Sequence, residues 1–186
     1  MQAAITFNND FYSTMYRFFS ELKGVVQAHL PQPAPQPTLK LEGELLVMLA
    51  DDDEDDRFFF AQAVSELSPS IHLTTSRDGS ELLQYLEKSN HRLPDLIFLD
   101  LNMPRKNGLE CLEELKQHSK LKKIPVIIYS TSANPHQVED TFKKGAHLYI
   151  QKPDSFSRIK EVLNKVLSLP PGKLPQPANR DTFLII

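Results

Sequence analysis

LIFLDLNMPRKNG, residues 96–108, is an apolar run that stops at one carboxylate, Asp100, and breaks into a loop marked by Pro104 and Gly108. All four residues before the carboxylate are apolar, which suits a strand covered on both faces, as in the middle of a parallel sheet. Such a strand delivers its last residue to the carboxyl edge of the sheet, where open α/β folds bind ligands. Asp100 is therefore a carboxylate presented by a rigid element.

Four more apolar runs share this character: Leu45–Ala50, Ile71–Ser76, Val126–Ser130 and His147–Gln151. Helical spacing follows each run. Asp55–Leu67 turns Phe59, Phe60, Ala63, Val64 and Leu67 inward. Asp78–Lys88 opens on Asp78 and Glu81 as a capping pair, and Gly108–Gln117 follows the central run. Pro135–Lys144 starts after Asn134 and stops at Gly145. Phe156–Leu167 turns Ile159, Val162, Leu163 and Val166 inward. Parallel strands need crossover helices, and these crossovers are right-handed. Five βα units therefore predict a doubly wound α/β domain with a five-stranded parallel sheet in the flavodoxin-like order 2-1-3-4-5.

The flanks differ from this core. Residues 1–30 carry Phe11, Met15, Phe18, Phe19, Leu22, Val25, Val26 and Leu30 at helical spacing, an amphipathic arm. A membrane-surface helix would add a strongly basic face, and only Arg17 and Lys23 are there; an arm or homodimer contact is expected. Pro31, Pro33, Pro35 and Pro37 stiffen a linker over residues 31–43. Pro170, Pro171, Pro175 and Pro177 do the same in a tail, residues 170–186, ending in FLII, a candidate edge strand or dimer contact. The domain itself is residues 44–169.

Composition narrows the function. Lys+Arg 21 against Asp+Glu 24 gives a net charge of -3, so nothing calls for nucleic acid or an anionic membrane. A single cysteine, Cys111, forms no intrachain disulfide and favours a reducing, cytoplasmic setting; on its helix it is a packed thiol. No apolar run is long enough to span a membrane.

The ends of the strands carry the chemistry. Strand one ends in Asp51 and Asp52, strand three in Asp100, strand four in Ser130 and strand five in Lys152. Strand two, which this order places away from the switch point, ends in no comparable group. Converging carboxylates repel one another unless a cation sits between them. Magnesium, a hard oxygen-seeking ion, binds through a few carboxylates and keeps waters and phosphate oxygens as its other ligands. With an ammonium and a hydroxyl beside it, such a set suits phosphoryl transfer, which needs positioning and charge neutralisation. A carboxylate can itself be the nucleophile and form an aspartyl phosphate. Asp53, Glu54, Asp55 and Asp56 continue the acidic run and suit the opening turn of a helix.

LLVMLADD, LIFLDLNMP, VIIYSTS and YIQKP resemble, in order and spacing, the receiver domain of two-component response regulators. The resemblance covers about Glu44 to Leu167. It implies that Asp100 accepts phosphate from a histidine kinase or phosphotransfer protein. It also implies that Asp51, Asp52, Asp100 and the backbone carbonyl of Asn102 hold magnesium. Ser130 and Lys152 then contact the phosphoryl oxygens, Tyr149 swings inward when Ser130 moves, and Lys152–Pro153 is a cis peptide. Ser130 stands where threonine is commoner, and Thr131 where the family often has alanine or glycine. Asn102 and Ser132 occupy positions that tune dephosphorylation. With no output domain after Leu169, the expected product is a stand-alone receiver signalling through a changed binding face. Two other readings compete: a degenerate receiver acting as a scaffold, and a phosphohydrolase of the haloacid-dehalogenase type using Asp51-Asp52-Asp53. Phe58 falls off its helix's inward stripe and is a candidate docking residue for a kinase's helical bundle.

Overall fold

The structure is a computed structural model and describes residues 43–88, 92–169, 174 and 183–185, all within one compact unit, Thr38–Ile186. The expected helical arm and linker lie outside the described residues, as does most of the tail. The elements run β1 (Leu45–Ala50), α1 (Glu54–Leu67), β2 (Ile71–Ser76), α2 (Gly79–Glu87), β3 (Leu96–Leu99), α3 (Gly108–Gln117), β4 (Val126–Ser130), α4 (Pro135–Lys143), β5 (Leu148–Gln151) and α5 (Phe156–Leu167). A short tail strand, β6 (Leu184–Ile185), comes last.

The five strands take the expected order, every pairing is parallel, and β6 extends the β5 edge to a sixth strand. Of the two fates open to the FLII segment, the chain thus uses its own sheet edge. Phe183, fully buried, sits beside Tyr149 and Phe142, with ring centroids 6.2 and 5.3 Å away. The Tyr149 N–H donates to the Phe183 carbonyl at 2.7 Å.

Alternation along each strand splits the core into two layers. Val47, Leu49, Phe98 and Ile127 face α1 and α5, where Phe60, Ala63, Val64, Leu163 and Val166 meet them. Met48, Ala50, Ile97, Leu99 and Ile128 face α2, α3 and α4, against Leu82, Cys111, Leu112, Leu115 and Val138. Each fully buried leucine or phenylalanine contributes about 1.5–3 kcal/mol. Burial pushes the Cys111 thiol up to about 12, so it remains a packed, protonated side chain.

Local signals set the helix ends. The Asp53 carboxylate accepts from the N–H groups of Asp55 and Asp56 and caps α1. Asp78 accepts from the Glu81 N–H, but Glu81 returns its bond to the Arg77 N–H instead of the cap residue. The full reciprocal box forms at Asn107 and Glu110, opening α3. One packing expectation fails. Phe59 is 43% exposed. The buried stripe of α1 is Phe60, Ala63, Val64 and Leu67, and Phe59 lies one position off it, about 100° around the helix. Its ring rests against Phe58 and Phe156 at the surface.

His147, just ahead of β5, is 4% exposed, and its Nδ1 accepts from the Val126 N–H at 3.3 Å. Burial, with the Lys116 charge nearby, pushes its pKa down to about 4. A lowered histidine pKa means that the unfolded chain binds the extra proton first. Stability is therefore lost as pH falls from about 6.5 to about 4, by up to ~3 kcal/mol. Denaturant unfolding of His147→Gln is expected to show a flatter pH dependence than wild type across that window; parallel curves would exclude this role.

Candidate functional site

The backbone ladders run one residue past the strands and place the site. The Asp51 N–H donates to Ser76 O at 3.0 Å, the Asp100 N–H to Ala50 O at 2.9 Å, and the Lys152 N–H to Ser130 O at 2.8 Å. Asp51, Asp100 and Lys152 therefore emerge side by side at the carboxyl rim. The register pairs Ala50 with Leu99 and Ser130 with Gln151, so the strands end level.

Carboxylate oxygens of Asp51, Asp52 and Asp100 lie within 4.8 Å of one another. Asp51 is fully buried, Asp100 is 5% exposed and Asp52 faces solvent. The Lys152 ammonium, almost entirely buried, lies 2.8 Å from Asp51 Oδ2, 2.7 Å from Asp56 Oδ2 and 3.4 Å from Asp100 Oδ2. Asp51 Oδ1 accepts from the Asp53 N–H at 3.1 Å, and Asp100 Oδ1 from the Leu101 N–H at 2.6 Å. Arg57 donates through Nη1 to the Asp51 carbonyl at 2.7 Å and steadies the first loop.

Electrostatics follow from this crowding. Burial raises the Asp51 pKa to about 6; Lys152 pulls against it, and the Asp100 charge adds to it. Burial also works against the charge on Lys152, but the hydrogen bonds and charges of its carboxylate partners overcome it and hold the pKa above the ordinary lysine value. The ammonium stays charged.

Ser130 ends β4, fully buried, and its hydroxyl has no well-formed hydrogen bond among the described residues, although the nearby Tyr149 hydroxyl is influenced by it. Tyr149 is buried on β5, with its ring on the α4 side of the sheet. Its hydroxyl donates to the Ser132 carbonyl at 2.7 Å, in the loop after β4. Asn102 lies exposed just beyond Asp100, in a cleft of about 380 Å³ shared with Leu101, Met103 and Gln137.

The residues read from the strand ends thus meet: Asp51, Asp52, Asp100 and Lys152 directly, and Ser130 on the adjoining strand end. A cis Lys152–Pro153 bond is not found; the described residues contain no cis peptide. Trans is the intrinsic preference even before proline, and with a trans bond the Lys152 N–H and ammonium both find their partners. Two residues were missed from sequence. Asp56 reads as a helix-opening acid but reaches Lys152, 96 residues away. Arg105, with φ of 64°, pairs with the fully buried Asp78 and straps the loop after β3 to the start of α2. A positive φ at a non-glycine residue leaves no signature in composition.

A cluster of oxygen donors around a buried, charged lysine fits a hard divalent cation and a phosphoryl group together. Residues 47–164 match the family model described as response regulator receiver domain. Response regulator Rcp1 from Synechocystis sp. is 32% identical over 111 residues, 58% of this chain and 76% of the relative. The crystal structure of the phosphorylated cyanobacterial phytochrome response regulator RcpA superposes with a TM-score of 0.63 at 32% identity, over 67% of this chain and 91% of that one. The Mn(2+)-bound form of Rcp1 also superposes at 0.63, with 28% identity, over 72% of this chain and 99% of that one.

Proposed function

The chain belongs to the response regulator receiver family, and from that premise we propose that it takes a phosphoryl group onto Asp100 from a histidine kinase or phosphotransfer protein. Receivers act in two-component signalling and are generally not enzymes in their own right. The observation that carries the reading is the buried Lys152 ammonium facing the carboxylates of Asp51 and Asp100 at one sheet rim.

In the transfer, a carboxylate oxygen of Asp100 bonds to phosphorus as the phosphorus–nitrogen bond of the phosphohistidine breaks, and the imidazole leaves with the electron pair. Lys152 neutralises the phosphoryl oxygens, and Ser130 offers its uncommitted hydroxyl to one of them. Asp51, Asp52 and Asp100, with the Asn102 carbonyl, would hold magnesium. When bound, the ion supplies the positive charge that the phosphoryl oxygens need in the transition state. Once phosphate is on Asp100, Ser130 and Tyr149 shift together and alter the α4–β5–α5 face, so that affinity for a partner protein changes. A phosphohydrolase built on Asp51-Asp52-Asp53 has no support in the family match.

Acetyl phosphate with magnesium should place one hydroxylamine-labile phosphate on the protein by mass spectrometry. Phosphomonoesters in excess should release no inorganic phosphate, and turnover of many equivalents of them would overturn the receiver reading. With beryllium fluoride and magnesium, NMR signals of Ser130 and Tyr149 should shift; an unchanged spectrum would favour a scaffold.

Metal binding should depend on pH through Asp51. A ligand carboxylate must be ionised, and protons compete with the metal below the raised pKa of about 6. Manganese or magnesium affinity should therefore fall about tenfold from about pH 7 to about pH 5. Isothermal titration at the two pH values checks this, and equal affinities would exclude Asp51 as a ligand.

A further inference from the structure

We propose that Asp56 is a positioning residue for Lys152, holding its ammonium back from Asp100 until a phosphoryl group draws it over. The inference rests on the reading of Asp100 as phosphoacceptor and deepens it. An ammonium has three N–H donors. Asp56 Oδ2 takes one at 2.7 Å and Asp100 Oδ2 accepts a longer bond at 3.4 Å, while Asp51 Oδ2 faces the ammonium at 2.8 Å as an ion pair outside hydrogen-bond geometry. The lysine side chain is 7% exposed, so water has little access to replace a partner that lets go.

The two short-range partners are not equivalent. Asp51 is fully buried, and leaving Lys152 would strand its charge away from water. The Asp56 side chain is 38% exposed, so its carboxylate can turn to solvent at small cost. Asp56 is therefore the partner that yields. The Tyr129 ring, 5.7 Å from the ammonium, walls the lysine from another side. Arrival of a dianionic phosphoryl group at Asp100 gives Lys152 a stronger partner within a short movement, and Asp56 swings out to water. Its pull opposes the phosphorylated state and limits how tightly that state is held.

The charge of Asp56 should thus count against binding of a phosphoryl mimic. Asp55, in the same turn, carries the same charge and is exposed, and its backbone N–H donates to the Asp53 cap, so it serves as a matched control. Beryllium fluoride affinity is measured with saturating magnesium on the full chain, by intrinsic fluorescence or NMR. Asp56→Asn should bind the mimic about fivefold more tightly than wild type, the upper range for a partly exposed ion pair. Asp55→Asn should match wild type, and Asp56→Glu should restore the wild-type value. A residue that only supports the helix would not tighten binding when replaced. Equal tightening by both Asn variants would mean diffuse charge rather than grip and would overturn the proposal, as would unchanged or weaker binding in Asp56→Asn. Wild-type protein that binds no mimic at all would overturn the phosphoacceptor reading itself, an outcome distinct from the others.

Discussion

Asp100→Asn is expected to abolish phosphorylation by acetyl phosphate while leaving the fold intact. The amide keeps the shape of the side chain and an oxygen to accept the Leu101 N–H, the bond that fixes this carboxylate at 2.6 Å. It lacks the anionic oxygen that must bond to phosphorus. Removing one of three carboxylates within 4.8 Å also removes like-charge repulsion, so the variant should melt at or above the wild-type temperature when no divalent ion is present. Loss of phosphate with retained melting separates a missing nucleophile from a broken domain. Mass spectrometry should find one hydroxylamine-labile phosphate in wild type and none in the variant. A labile phosphate surviving on Asp100→Asn would move the nucleophile to Asp51 or Asp52 and end the present assignment.

Most of this arrangement is legible in the sequence because parallel strands buried on both faces announce themselves and because their last residues must share a rim. LLVMLA and LIFL are unbroken apolar runs and VIIYS closes on its own hydroxyl, so that Asp51, Asp100 and Ser130 come to one rim as the strand order requires. Helix limits are nearly as plain where Asp78, Asn134 and Gly145 mark them. The unread parts have physical causes. Phe58 reads as off the inward stripe and is 53% exposed, but Phe59 carries the same hydrophobic signal as Phe60, and only the rotation of α1 decides that it remains at the surface, 43% exposed. Asp56 belongs to an acidic run whose members all suit a helix N-terminus; its link to Lys152 exists only once α1 and β5 share an edge. The tail strand is two residues long, too short for any periodicity, and Phe183 gains its place from a pocket between Phe142 and Tyr149 rather than from neighbours in sequence.

Gly108→Ala should be among the most damaging single-methyl changes in the domain. The first turn of α3 returns directly over the end of β3, and the Gly108 N–H donates to Leu101 O at 3.0 Å. A Cβ at this position would lie 2.0 Å from the Asp100 carbonyl oxygen and 2.8 Å from both the Asp100 carbonyl carbon and Leu101 Cα. These are backbone atoms of the phosphoacceptor segment, so no side-chain rotation relieves the clash. Either α3 withdraws, loosening Cys111, Leu112 and Leu115 from the core, or Asp100 is pushed out of register with Asp51. Overpacking against fixed backbone costs about 3 kcal/mol or more, and denaturant unfolding should show it. Gly145→Ala supplies the comparison. Gly145 has φ of 85°, yet its nearest contacts to an added Cβ are the flexible Lys116 chain at 3.9 Å. Its penalty is the left-handed conformation alone, about 1–2 kcal/mol. If steric closeness to Asp100 is what demands glycine at 108, the first variant loses more stability than the second and also binds beryllium fluoride more weakly. Equal losses, with the mimic still bound normally, would mean that α3 can withdraw without disturbing the phosphoacceptor.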